Sequence, residues 1–218
     1  VFFYFDTAGF SFKNAVHFLK GFNNNSSKKH QYFILEEFLT FPVLVKAVKL
    51  YFCIYSKGKR LDKLRKEFCF SDSQMNFFPF MEKEWKVSLF GNLAMNNAIK
   101  ISMFDAMAKT LSASPWGLFV WENQPWDMAL ISAWKRHQKN TKVFASQHSF
   151  FRPFDLRFVS DSRDFFETGG EAMPLPDKLC INNVQGLSLI REAGYPEDRI
   201  AKVEAVRYFN LEGKYMTK

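Results

Sequence analysis

The stretch Gly117–Ser149, GLFVWENQPWDMALISAWKRHQKNTKVFASQHS, decides how the chain folds. Four large apolar residues, Leu118 to Trp121, stand near its start. An unbroken run of that length suits a strand buried on both faces of a parallel sheet. Glu122, Asn123 and Gln124 end the run with polar side chains. Pro125 fits a first helical position, where its missing N–H would have no partner anyway. Asp127 falls in that first turn, where a negative charge suits the helix dipole. Trp126, Leu130, Ala133, Trp134 and His137 recur at helical spacing and define a face for packing on the sheet. Polar residues from Gln138 to Lys142 stop the helix, and Val143 to Ala145 read as a second strand that finishes in Gln147, His148 and Ser149.

A strand–helix–strand unit of about thirty residues has the size of a βαβ crossover. Such crossovers are right-handed, so the two strands are expected to be parallel and close neighbours. Their polar ends then emerge on one edge of the sheet. Open α/β sheets bind ligands at that carboxyl edge, so the site is expected there.

Working outward toward the C-terminus, Phe150 to Asp177 is long for a connection, and loops above about fifteen residues are functional or disordered. It carries Arg152, Asp155, Arg157, Asp161, Arg163 and Asp164 among aromatics, which favours an ordered loop over the sheet edge. Lys178 to Asn182 reads as a strand and Gln185 to Ala193 as a helix, with Gly194 in the position after its C-cap and Pro196 just beyond. Ala201 to Val206 reads as a further strand, whose end bears Arg207 and Tyr208.

Toward the N-terminus, Val1 to Phe5 reads as a strand and Phe12 to Phe22 as a helix, followed by a polar loop from Asn23 to Lys29. Gln31 to Lys57 reads as mostly helix, with Pro42 a break or a new first turn. Val43, Ala47, Leu50, Tyr51 and Ile54 share one of its faces, and Lys46, Lys49, Cys53 and Lys57 another. With Lys59, Arg60, Lys63, Arg65 and Lys66 behind it, this is the most basic part of the chain. A solvated helix face is the plain reading, and contact with a membrane surface or an anionic acceptor the sharper one. Phe68 to Lys86 shows no period and reads as irregular. A helix follows from about Leu93 to Leu111, with Ile99, Met103, Met107 and Leu111 as a core stripe.

The whole composition sets limits. The 218 residues suffice for a real core, and the 27 phenylalanines read as core material. Three cysteines, Cys53, Cys69 and Cys180, follow no metal or disulfide spacing and favour a reducing compartment. No signal peptide is read at Val1, and no apolar run reaches the roughly eighteen residues of a spanning helix. The net charge of +8 points to a phosphate-bearing or anionic partner. No nucleic-acid-binding module accompanies it, so nucleic acid is not the expected partner.

Several longer motifs carry a resemblance. WENQPWDMAL at Trp121–Leu130, AWKRH at Ala133–His137, QHSFFRPFDLRF at Gln147–Phe158, PLPDKLCIN at Pro174–Asn182 and GYP with VEAVRY across Gly194–Tyr208 resemble bacterial surface-carbohydrate (O-antigen or capsule) biosynthesis proteins. HQYFILEEFLT at His30–Thr40 and WKVSLFGN at Trp85–Asn92 fit the same family, and the likeness is densest from Trp85 to Leu211. Ser146 and Phe151 depart from the family pattern, where glycine and valine are usual. The resemblance implies a Rossmann-like parallel sheet flanked by helices, one half of a GT-B glycosyltransferase architecture, with a largely helical N-terminal portion. It implies residues 1–84 as a mostly helical part, 85–211 as the acceptor-side α/β core, and 212–218 as the start of a linker to a donor domain not present in the chain.

On that resemblance the expected partners are a nucleotide sugar and a glycan or lipid-linked acceptor, with no cofactor. The expected location is the cytoplasm, with peripheral contact at the inner membrane. The alternative is a non-catalytic module that binds carbohydrate or a partner in polysaccharide assembly. Sugar transfer needs an acceptor hydroxyl deprotonated and a leaving phosphate stabilised. Glu122 is the expected general base, with Gln124 orienting the sugar and His148 binding phosphate or acting as acid. Asn123, Gln147, Ser149, Arg152, Arg157 and Arg207 complete the expected binding set. Plainer readings stand beside these: Glu122 as a helix cap, His148 as a structural imidazole, the loop arginines as an ion network, and Arg207 as a partner of Glu204. No DxD-like motif, glycine-rich phosphate loop or zinc spacing is present.

Overall fold

A computed structural model of the chain describes residues 11–25, 31–69, 72, 75–147, 161–165 and 173–205. It divides into two compact units, Val1–Thr110 and Leu111–Lys218. The expected strand at Val1 to Phe5 lies outside the described residues.

The first unit is helical. It contains α1 (Phe12–Asn25), a 3-10 turn at Leu35–Phe38, α2 (Phe41–Leu61), a second 3-10 turn at Asp62–Glu67, α3 (Phe78–Phe90) and α4 (Asn92–Thr110). Pro42 is a first-turn proline of α2, which resolves the choice left open between a break and a new start. α2 and α3 both pack on α4. The close contacts run through small residues: Ala47, Ala94, Ala98 and Ala108 are buried. Gly58 is another, since a Cβ there would stand 3.0 Å from Phe90 Cε1 and 3.2 Å from Leu89 Cβ. The Tyr51 hydroxyl donates to the Phe90 carbonyl at 2.6 Å, and Lys46 pairs with Asp105 of α4. Met103 and Met107 are buried as expected.

The stretch Phe68 to Lys86, expected to be irregular, contains the start of α3. Pro79 lies in its first turn, and apolar residues all round it hide the period. Asn76 fixes the entry, accepting the Phe78 N–H at 2.8 Å and donating to the Arg65 carbonyl at 2.8 Å. Phe68, Phe78 and Trp85 meet edge to face beneath it. Residues 85–110, which the sequence reading grouped with the α/β core, belong by contact to the helical unit.

The second unit is α/β. Its elements are β1 (Trp116–Trp121), α5 (Pro125–His137), β2 (Lys142–Gln147), β3 (Lys178–Ile181), α6 (Val184–Glu192) and β4 (Ile200–Lys202). The four strands are parallel, in the order β1-β2-β3-β4. This is the flanked parallel sheet that the sequence implies, and it is consistent with a Rossmann-like fold. One face carries the core, with Trp121, Ala145, Leu179 and Ile181 packed against Leu187, Ile190 and Tyr195. Asp177 binds the flank of β2 in both directions: its carboxylate accepts the Val143 N–H and its own N–H donates to the Val143 carbonyl, each at 2.8 Å. Gly194, at a φ of 77°, closes α6. Its N–H donates to the Arg191 carbonyl and the next N–H, of Tyr195, to Ile190, the paired bonds of a Schellman cap.

Two expectations change. β1 is not buried on both faces: the Gly117, Phe119 and Trp121 face meets α5, while Trp116, Leu118 and Val120 on the other face are exposed. On α5 the expected face does lie on the sheet: Trp126 meets Phe119 edge to face and Trp134 lies against Gly117, with Asp127 and Ile131 buried on one side of that line and Ala129 and Ala133 on the other. β4 covers only Ile200–Lys202 of the expected 201–206 strand, and Val206 is outside the described residues.

Candidate functional site

The carboxyl edge takes its geometry from the pairing of β1 with β2. Their register aligns Trp121 with Gln147, so the two strands end side by side. After β1 the chain makes a tight turn through Glu122, Asn123 and Gln124 into α5. Asn123 occupies the left-handed region at a φ of 53°, which asparagine tolerates better than other side chains that carry a Cβ.

Asp127 holds this turn. Its Oδ2 accepts the backbone N–H groups of Glu122 and Gln124, both at 3.0 Å. The second of these is the return half of a capping arrangement, with Gln124 as N-cap and Asp127 three residues on. Asp127 is fully buried, and its other oxygen has no hydrogen-bond partner among the described residues. Burial pushes its carboxyl up to about 6 against the pull of these N–H groups, and the charge of nearby Glu122 adds to the rise. Sequence reading treated Asp127 only as a dipole partner. Its capping role was readable in the spacing QPWD, where a proline at the first helical position puts Asp127 third.

Glu122, Asn123 and Gln124 are half-buried on the turn, at the edge where the sequence located them. Gln147 is buried, and its Oε1 accepts the Asn182 N–H at 3.0 Å, tying the end of β2 to the end of β3. Asn183, one residue further, caps α6 by accepting the Gly186 N–H. His148, Ser149, Arg152, Arg157 and Arg207 lie outside the described residues. Among the described residues, no three His, Cys, Asp or Glu side chains stand together as metal ligands would.

Beneath the turn lies a small apolar recess lined in part by Trp121, Asn123, Met128, Phe165, Ile190 and Tyr195, with room for about one water molecule. The Tyr195 hydroxyl is buried without a hydrogen-bond partner among the described residues, and burial raises its pKa. The recess is too small for a sugar or a nucleotide, so a ligand of that size would lie on the open edge above Glu122 and Gln124. There the arrangement offers a carboxylate and an amide on a clamped turn, next to the strand end that leads into His148. In comparison with known proteins, the chain matches no family model, no curated protein and no solved structure.

Proposed function

We propose that this chain is the acceptor-side domain of a GT-B-type glycosyltransferase, transferring a sugar from a nucleotide-activated donor in bacterial surface polysaccharide synthesis. In this reading it works in the cytoplasm, at the periphery of the inner membrane. Glu122 serves as general base toward the acceptor hydroxyl and Gln124 orients the sugar. His148 binds the leaving phosphate or acts as acid, with Arg152, Arg157 and Arg207 as further phosphate partners. Asp127 is a positioning residue that acts through the turn bearing Glu122. The supporting observation is the in-register parallel pairing of β1 with β2, which ends both strands, at Trp121 and Gln147, on one edge of the sheet. The motif resemblance from Trp85 to Leu211 supplies the chemistry.

The test is turnover of nucleotide sugars by the full-length protein. Glu122→Ala and His148→Ala should each slow transfer by about a hundredfold or more, the usual worth of a positioned acid or base, with the fold unchanged. Absence of turnover across activated donors, or an undiminished rate in both variants, overturns the reading. One observation favours the alternative of a non-catalytic binding module. Among the described strands the order never reverses, and a reversal is what opens a ligand crevice in doubly wound sheets. On that alternative, neither substitution at the edge changes glycan binding.

A further inference from the structure

We propose that the outward ridge of α2 docks the protein onto an anionic lipid surface. At the helical repeat, Phe41, Leu44, Val45, Val48 and Phe52 fall within one arc of about 100°. All five are exposed, Phe41 to 78% and Phe52 to 62%, while the inward face carries Val43, Ala47 and Gly58. The ridge from Phe41 to Phe52 runs about 16 Å along the helix.

One flank of the ridge is basic. Lys49, Lys57 and Arg60 are exposed along it, and Lys59 continues the ridge line with its ammonium 4.8 Å from the centre of the Tyr55 ring. Lys46 shares that flank but is held by Asp105, so it is not among the contacts assigned here. The net charge of the whole chain is concentrated in the half of the sequence that carries α2. Residues 1–110 hold 16 Lys and Arg against 9 Asp and Glu, which is +7 of the net +8.

An apolar ridge bordered by cations matches the boundary of a bilayer, where acyl chains lie just below phosphate headgroups. No described helix is long and apolar enough to cross a membrane, so α2 would lie in the plane of the surface. A nucleic acid would engage the lysines and leave Leu44, Val45 and Val48 in water. A second copy seated on the ridge would bring two basic flanks together. The bilayer alone uses both features, and it does so whether or not the chain transfers sugar.

Sedimentation of the full chain with vesicles tests this without any sugar substrate. The protein should pellet with phosphatidylcholine vesicles containing phosphatidylglycerol and stay in solution with phosphatidylcholine alone. Val48→Asp with Phe52→Asp should abolish binding, and these positions are exposed, so circular dichroism and melting should be unchanged. Lys49→Gln and Lys57→Gln should each weaken partitioning about fivefold, and raised salt should do the same. Equal binding to neutral vesicles, no binding at all, or binding that survives Val48→Asp with Phe52→Asp overturns the proposal. So does a dimer in sedimentation that the same pair of substitutions converts to monomer, or a DNA complex that persists when the ridge is removed.

Discussion

In the α/β unit the side chains buried deepest include Ile131, Leu179 and Ile181, whereas the helical unit buries Ala94, Ala98 and Ala108 beside Met107 and leaves Phe41, Phe52 and Phe80 in water. The polar residues differ in the same way. In the α/β unit Asp127, Asp177, Gln138 and Gln147 each bind backbone groups of a neighbouring segment. In the helical unit the clearest charged contacts, Lys46 with Asp105 and Arg65 with Asp62, lie at the surface. The contrast shows two solutions to one problem. A sheet with connections of unequal length needs side chains to satisfy the backbone where pairing stops. Helices satisfy most of their own backbone, so side-chain bonds such as those of Asn76 and Tyr51 fall at their ends, and small residues let them approach closely.

This comparison can be broken at its strongest point first. Asp127→Ala would leave two N–H groups at the β1–α5 turn without an acceptor, and should cost about 3 kcal/mol in chemical denaturation. Hydrogen exchange should localise the loss to Leu111–Lys218; a loss shared by the helical unit would contradict the separation drawn here. Ala98→Leu is the counterpart in the helical unit. Ala98 is fully buried, so overpacking there should cost about 2 kcal/mol and leave exchange in the sheet unchanged.

The pH dependence sharpens the comparison further. A carboxyl raised from 3.8 to about 6 in the folded state favours its protonated form, so its contribution is greatest at low pH and is lost as pH rises through 6. Between pH 4.5 and 7 the α/β unit should lose about 2 kcal/mol from this group, measured by thermal or denaturant unfolding. Asp127→Asn should flatten that slope. The depressed acids Asp161, Glu82 and Glu197 act in the opposite sense, their contribution being lost as pH falls below the ordinary carboxylate range. The smallest effect is expected from Lys46→Ala, at most about 1 kcal/mol, because half of that lysine is exposed to solvent.

The central unit was legible because each of its signals is local. Apolar runs mark the strands, Pro125 marks the start of α5, and Gly194 marks the end of α6. Parallel pairing of neighbouring strands then follows from crossover handedness. What sequence did not disclose depends on partners distant along the chain. Whether β1 is covered on one face or two depends on which elements pack across the sheet, and no window of sequence records that. Gln147 reads like a ligand-binding amide until its acceptor role toward Asn182, thirty-five residues on, is seen. The ridge on α2 was hidden for a different reason: apolar residues occupy nearly the whole helix, and only packing separates Val43 and Ala47 from Leu44 and Val48. Asp127 lies between these cases, since its position in the helix was readable and its burial was not.

Strands that follow one another in chain order make the carboxyl rim a ruler. Adjacent strands lie about 4.8 Å apart, so the ends of β1 and β4 are separated by roughly 14 Å. A group carried at the end of β1 and one carried at the end of β4 are therefore set to touch different parts of a ligand. A molecule that reaches both strand ends must span that distance.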